Sequence, residues 1–233
     1  ILVKRDHPIT VSHSISLYIH IFHSLSIMDT TYLIFNSLKL TFKHTTHTHT
    51  NTPTQYSYAI VAADAAAPRS ILVFKQDEDK IFPLDSEKDE TASLIMGCAG
   101  PQGDRTQFCE FIQKNVILTN LRTGIRMSPR AASAYTRGEL ATALRSRGAY
   151  QANLLLAGVD KIDGPELYWM DYLSTCQKCP FGVHGYGANF TLSIFDKEWK
   201  KDLDLKQGLE IIRKCISELK TRFLIHQPKF YVK

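Results

Sequence analysis

Four groups of residues combine side-chain type and spacing in ways that could do chemistry. Cys176 and Cys179 stand two residues apart. That is the spacing of a zinc knuckle or a dithiol redox motif, in which two sulfurs converge on one ion or exchange a disulfide. Tetrahedral zinc wants four ligands, and no second pair follows. Cys98, Cys109 and Cys215 sit inside apolar patterns, so Cys176 and Cys179 read as free thiols in a turn. His184 could move a proton for a serine or cysteine. Its neighbours Phe181, Gly182, Val183 and Gly185 instead describe a packed histidine. His44, His47 and His49 could hold a metal weakly, but no cysteine or carboxylate accompanies them, and a solvated polar tract is the simpler reading. Arg137, Arg145 and Arg147 could form a basic patch. Alanines and Glu139 interleave them, which suits a solvated or subunit-facing helix side. No phosphate-cradling glycine loop of the usual spacing and no internal repeat is present. No cofactor and no metal is expected.

The chain that must position these groups has 233 residues, 44% apolar and 22% charged, with a net charge of +5. Disorder throughout, collagen repeats and a disulfide-dense mini-protein are excluded by those values. The charge is too small and too evenly spread to imply nucleic acid as a partner. Five scattered cysteines read as reduced thiols in a cytoplasmic or nuclear protein.

Residues 1–57 differ from the rest. Seven of nine histidines lie at or before His49, Asp6 and Asp29 are the only acids, and glycine and alanine are missing. The Thr- and His-rich run from Thr41 to Thr54 has no apolar period and is expected to lack structure. Residues 9–27 are moderately apolar but are broken by His13, His20 and His23, so no membrane span is expected. Lys4-Arg5 before that stretch only faintly resembles a secretory signal.

From Tyr58 the pattern is one of alternating layers. Tyr58–Ala63, Ser70–Phe74, Lys80–Leu84 and Ser93–Ala99 read as strands, the last broken at Gly100-Pro101-Gln102-Gly103. Asp104 is expected to cap a helix, with Gln107 completing a capping box and Phe108, Phe111, Ile112 and Val116 on one face. Ser128-Pro129 starts a second helix, ending near Arg147-Gly148. Ala152–Val159 and Glu166–Tyr172 form a hairpin about Asp163-Gly164-Pro165. Phe181–Ala188 reads as a strand and Asn189–Phe195 as a short helix. The last helix, capped by Asp204 and Gln207, carries the stripe Leu205, Leu209, Ile212, Ile216, Leu219 and Phe223. Phe230–Val232 begins a final strand. Segregated strands and helices with hairpins describe an α+β fold, antiparallel sheets covered by helices.

A set of short motifs now becomes informative by its order. Val61-Ala-Ala-Asp64, Asp79-Lys80-Ile-Phe82, Gly103-Asp104 with Phe108 to Asn115, Leu154 to Gly158, Gly164 to Asp171 and His184-Gly-Tyr-Gly187 together resemble a proteasome β subunit of the non-catalytic kind, over about residues 58–232. The resemblance implies the four-layer αββα sandwich of N-terminal nucleophile hydrolases. It implies a place in one of two seven-membered β rings, with other β subunits and α-ring subunits as partners in a 28-subunit particle. That particle is the 20S core, which degrades ubiquitinated proteins in cytoplasm and nucleus.

In active members an N-terminal threonine attacks the peptide carbonyl, a lysine lowers the pKa of its amine, and an aspartate orients that lysine. The resemblance places Asp64 at the aspartate and Lys80 at the lysine, as vestigial positions. Tyr186 stands where active members carry a serine. Counting sixteen back from Asp64 reaches Thr48, but His47 precedes it where autocleavage in the family needs glycine, and Pro53 removes a ladder donor nearby. Met28-Asp-Thr-Thr-Tyr-Leu-Ile34 resembles the family's opening strand. Met28 is therefore expected to be the true start, with 1–27 read-through and 35–57 a retained intron or mispredicted exon. The domain proper is 58–233, expected to be truncated at Lys233 where relatives continue. The function implied is a non-catalytic structural subunit; the alternative is an active threonine peptidase subunit of the same fold. A free threonine after glycine and a serine at position 186 would favour the alternative, and neither is present.

Overall fold

A computed structural model describes residues 37–46, 54–69, 72–85, 94–160, 162–201 and 203–233. Two antiparallel sheets are its centre. Strands β1 (Ser37–Thr46), β2 (Thr54–Asp64), β10 (Phe181–His184) and β11 (Phe230–Val232) form the first, in the order β10-β1-β2-β11. Strands β5 (Ile81–Pro83), β6 (Leu94–Ala99), β7 (Asn153–Asp160), β8 (Gly164–Met170) and β9 (Cys176–Lys178) form the second, in chain order. A separate ribbon pairs β3 (Ala67–Arg69) with β4 (Leu72–Lys75).

The period-two alternation of β2 decides the layering. Ile60 and Ala62 point to helices α3 (Ala188–Glu198) and α4 (Leu205–Arg222), where they meet Phe195, Ile211, Ile212, Cys215 and Leu219. Ala59, Val61 and Ala63 point the other way, onto Ala157, Ile81 and Ile95 of the second sheet. That sheet turns Met96, Cys98, Leu154, Leu156 and Met170 to α1 (Gln102–Thr123) and α2 (Pro129–Leu144), against Phe108, Cys109, Ile112, Val116, Ala132 and Leu140. The result is helices, sheet, sheet, helices, as the resemblance implies. The inter-sheet layer mixes small residues (Ala59, Ala63, Ala157) with larger ones (Ile81, Ile95). At Gly182 a Cβ would lie 3.1 Å from Trp169 Cδ1 and 3.3 Å from Leu155 Cδ2.

Several expectations hold in detail. Asp204 and Gln207 make the full capping box of α4, and Ser128 Oγ accepts from Ala131 N–H at the start of α2. Others need correction. Asp104 does not cap α1: the helix starts at Gln102 behind Pro101, and Asp104, in the first turn, accepts from Gln151 N–H at 3.1 Å instead. Helix α2 stops at Leu144, three residues early. Gly164 and Pro165, expected in the β7–β8 turn, belong to β8 instead: Asp160 pairs with Gly164, whose φ of 76° suits glycine. Strand β10 ends at His184 because Gly185 turns the chain at φ 83°. Strands β3 and β9 were not expected from the pattern; three residues are too few for alternation to register.

The Thr- and His-rich run, expected to lack structure, supplies Thr41–Thr46 to β1 and Thr54 to β2, with Thr46 opposite Thr54. Ladder hydrogen bonds need backbone groups rather than apolar side chains, and β-branched threonine suits the pleat. Met28–Ile34, expected as the opening strand, lies outside the described residues.

Candidate functional site

Asp64 is the last residue of β2, and Lys80 stands one residue before β5. The fold brings the end of one sheet against the start of the other, so the two side chains meet. Lys80 Nζ donates to Asp64 Oδ2 at 3.0 Å and to the Ala66 carbonyl at 2.7 Å. Ala66 N–H donates to the same Asp64 oxygen at 3.2 Å. Both side chains are closed off from solvent, at 0% and 1% exposure. Burial lowers the Lys80 pKa below its ordinary value, and the Asp64 carboxylate opposes that shift.

A second buried pair lies beside the first. Arg105, in the first turn of α1, binds Glu78 Oε1, and its Nη1 donates to the Gly100 carbonyl at 3.3 Å. Arg105 pushes the Lys80 pKa down further, whereas Glu78 pushes it up. Sequence reasoning missed both residues. Arg105 stands in a polar first turn and Glu78 in a run of acids, where solvation is the default expectation.

The other predicted groups separate. Tyr186 is half-buried in the turn between β10 and α3, and its carbonyl accepts from Asn189 N–H at 3.2 Å. His184 is packed, as expected: it stacks on Trp169 with 4.6 Å between ring centres, and Nε2 donates to the Leu154 carbonyl at 3.0 Å. Burial moves its pKa down to about 4, leaving a neutral imidazole at neutral pH. Cys176 packs on the helix-side core, whereas Cys179 Sγ sits where a Cβ on Gly182 would meet it, in the gap facing the other sheet. Cys176 opens β9 and Cys179 follows its end, one toward the helix-side core and the other toward Gly182, so they do not converge on one ion. Among the described residues no three His, Cys, Asp or Glu side chains cluster to hold a metal. Arg137 Nε donates to the Ser174 carbonyl at 3.2 Å, while Arg145 and Arg147 are exposed around the end of α2. His44 lies in β1; His47 and His49 fall outside the described residues.

A buried lysine beside an aspartate can tune the pKa of a neighbouring amine or take part in moving a proton, provided a nucleophile stands within reach. Two sheets between helical layers, with that pair where the sheets meet, define the fold of the N-terminal nucleophile hydrolases. The chain belongs to the proteasome subunit family, whose model, described as Proteasome subunit, matches residues 55–233. It is similar to the proteasome subunit beta type-2-B of Arabidopsis thaliana, 46% identical over 176 residues that cover 76% of this chain and 85% of the relative. The proteasome subunit beta type-2 of Oryza sativa is 45% identical, covering 76% and 80%. That of Dictyostelium discoideum is also 45% identical, covering 70% and 80%.

Proposed function

We propose that this chain is a non-catalytic, structural β subunit of the 20S core particle, completing the β ring beside other β subunits and the α ring. The observation that carries the reading is what accompanies the buried pair: Lys80 Nζ meets Asp64 Oδ2 at 3.0 Å, but Tyr186 stands where active members of the family carry a serine, and His47 rather than glycine precedes Thr48 in the sequence.

Bare apolar surface supports the assembly. Phe111, Leu118, Leu121 and Ile125 make one stripe along and just past α1, with Leu121 at 77% and Ile125 at 73% exposure, and Phe74 on β4 is 69% exposed. Permanent interfaces are large and apolar, and such side chains become buried in them. Location in cytoplasm and nucleus is part of the proposal, supported by five cysteines that are odd in number and scattered along the chain. So is an extension of foreign composition before the domain: the family match starts at residue 55, close to where composition changes.

Purification of the particle with intact-mass analysis tests the whole. The expected result is this chain present in the particle without a newly exposed threonine at its N-terminus. Absence from the particle, or a mature form beginning with threonine, would overturn it. Peptide mapping with transcript sequencing tests the extension: peptides or in-frame message from residues 35–57 would remove it.

A further inference from the structure

Two rows of charge face each other at the corner where β4 leads into β5. Residues 77 to 80 alternate: Asp77 and Asp79 are exposed, whereas Glu78 and Lys80 are buried. Strand β11 lies alongside, with Lys229 just before it and Lys233 just after it. Lys229 Nζ donates to Asp77 Oδ1 at 2.5 Å and to Tyr231 Oη at 2.9 Å, and Tyr231 Oη donates to the same Asp77 oxygen. Lys233 Nζ donates to Asp79 Oδ2 at 2.5 Å and to the Ile81 carbonyl at 2.8 Å. The hydrogen bonds from Lys229 and Tyr231 hold the Asp77 carboxyl below its ordinary pKa.

The backbone ties the same segments together. Ala65 N–H donates to the Lys229 carbonyl at 3.0 Å, and the Ala65 carbonyl accepts from Glu78 N–H at 3.0 Å. Val61 and Lys233 exchange two backbone hydrogen bonds, each 2.8 Å. Ala65 follows Asp64, and the next residue, Ala66, gives its carbonyl to Lys80 Nζ. The exposed charges therefore sit on the segments that enclose the buried pair.

We infer that β11 is a salt-sensitive latch: Lys229, Tyr231 and Lys233 grip Asp77 and Asp79 and keep residues 76–80 closed over Asp64 and Lys80. Water reaches the buried pair when this corner opens. Salt screens exposed charges strongly and buried ones much less, so it acts on the outer row and spares the inner pair. Exposed ion pairs are individually weak, which sets this corner to open locally before the sheets part. Two of them, with the tyrosine bond, correspond to about tenfold in the opening equilibrium. The inference concerns the chain alone and stands apart from its catalytic status.

Hydrogen exchange of the full chain, read by mass spectrometry, tests it. D77N/D79N removes both charges yet keeps an oxygen for Ile81 N–H, which Asp79 Oδ1 accepts at 2.9 Å. Exchange in residues 61–66 and 76–81 is expected to rise about tenfold, and in β7 by less than about twofold. E110Q/E210Q, which removes the acids of two exposed ion pairs on helices, should leave all three stretches within about twofold. Raising salt from about 0.05 M to about 1 M should speed the first two stretches in the parent and add nothing in D77N/D79N. Circular dichroism checks that the variants fold, and the salt series on the parent decides the question without them. Unchanged exchange in D77N/D79N, an equal rise in β7, an equal effect of E110Q/E210Q, or a parent indifferent to salt would each overturn the latch.

Discussion

Lys80 and Asp64 form an ion pair at 3.0 Å in which neither side chain reaches solvent. An ammonium stripped of water is held by what replaces the water, and Lys80 has the Asp64 carboxylate and the Ala66 carbonyl at 2.7 Å among its partners. Lys80→Met leaves the Asp64 charge buried without that partner and is expected to cost roughly 3–5 kcal/mol of stability in urea unfolding. Asp64→Asn combined with Lys80→Met should recover much of the loss. A single variant as stable as the parent would show that the pair is not structural.

Stability should fall in mild acid because of His184. Its pKa drops from 6.5 in a free chain to about 4 in the fold, since burial disfavours the imidazolium. Between those values the unfolded chain binds a proton that the folded chain refuses, so acid favours unfolding. The contribution is fully present above about pH 6.5 and is lost as pH falls toward 4, by roughly 3 kcal/mol in all. His184→Gln should flatten that part of the pH profile measured by thermal melts.

Two glycines should respond unequally to alanine. At Gly100, φ is +149° and a Cβ would fall 2.1 Å from the Gln151 carbonyl oxygen, which is backbone and cannot move aside. Gly100→Ala is expected to cost about 2 kcal/mol or more. Gly182→Ala presses only on the side chains of Trp169 and Leu155, which can give way, for about 1 kcal/mol. Chemical denaturation of the two variants checks the order.

An electrophilic peptide that traps threonine nucleophiles should leave this chain unlabelled within an intact particle while labelling active neighbours. Mass spectrometry of the separated subunits reads the result. An adduct on any threonine of this chain would overturn the non-catalytic reading.

Much of the architecture could be read before any coordinates. The caps at Ser128 and Asp204 were legible because capping is local: a short polar side chain meets amides three residues away. The buried stretches Ile60–Ala63 of β2 and Leu154–Gly158 of β7 were legible as unbroken apolar runs. Element ends were less so. Asp104 looked like a cap, but the Gln151 amide, forty-seven residues on, competes for its carboxylate. The Thr- and His-rich run misled because composition reports on the burial of side chains, whereas β1 forms through the backbone pairing of a hairpin.

By itself the amino-acid sequence determined the order of the helices and most of the strands, the apolar faces, and the spacing of sixteen between Asp64 and Lys80. These are local or one-dimensional quantities. Only the tertiary structure decided which distant groups meet: Glu78 with Arg105, and Cys176 apart from Cys179. Coulomb forces and hydrogen bonds act over a few ångströms, and the distances between side chains far apart in the chain exist only once the sheets have stacked.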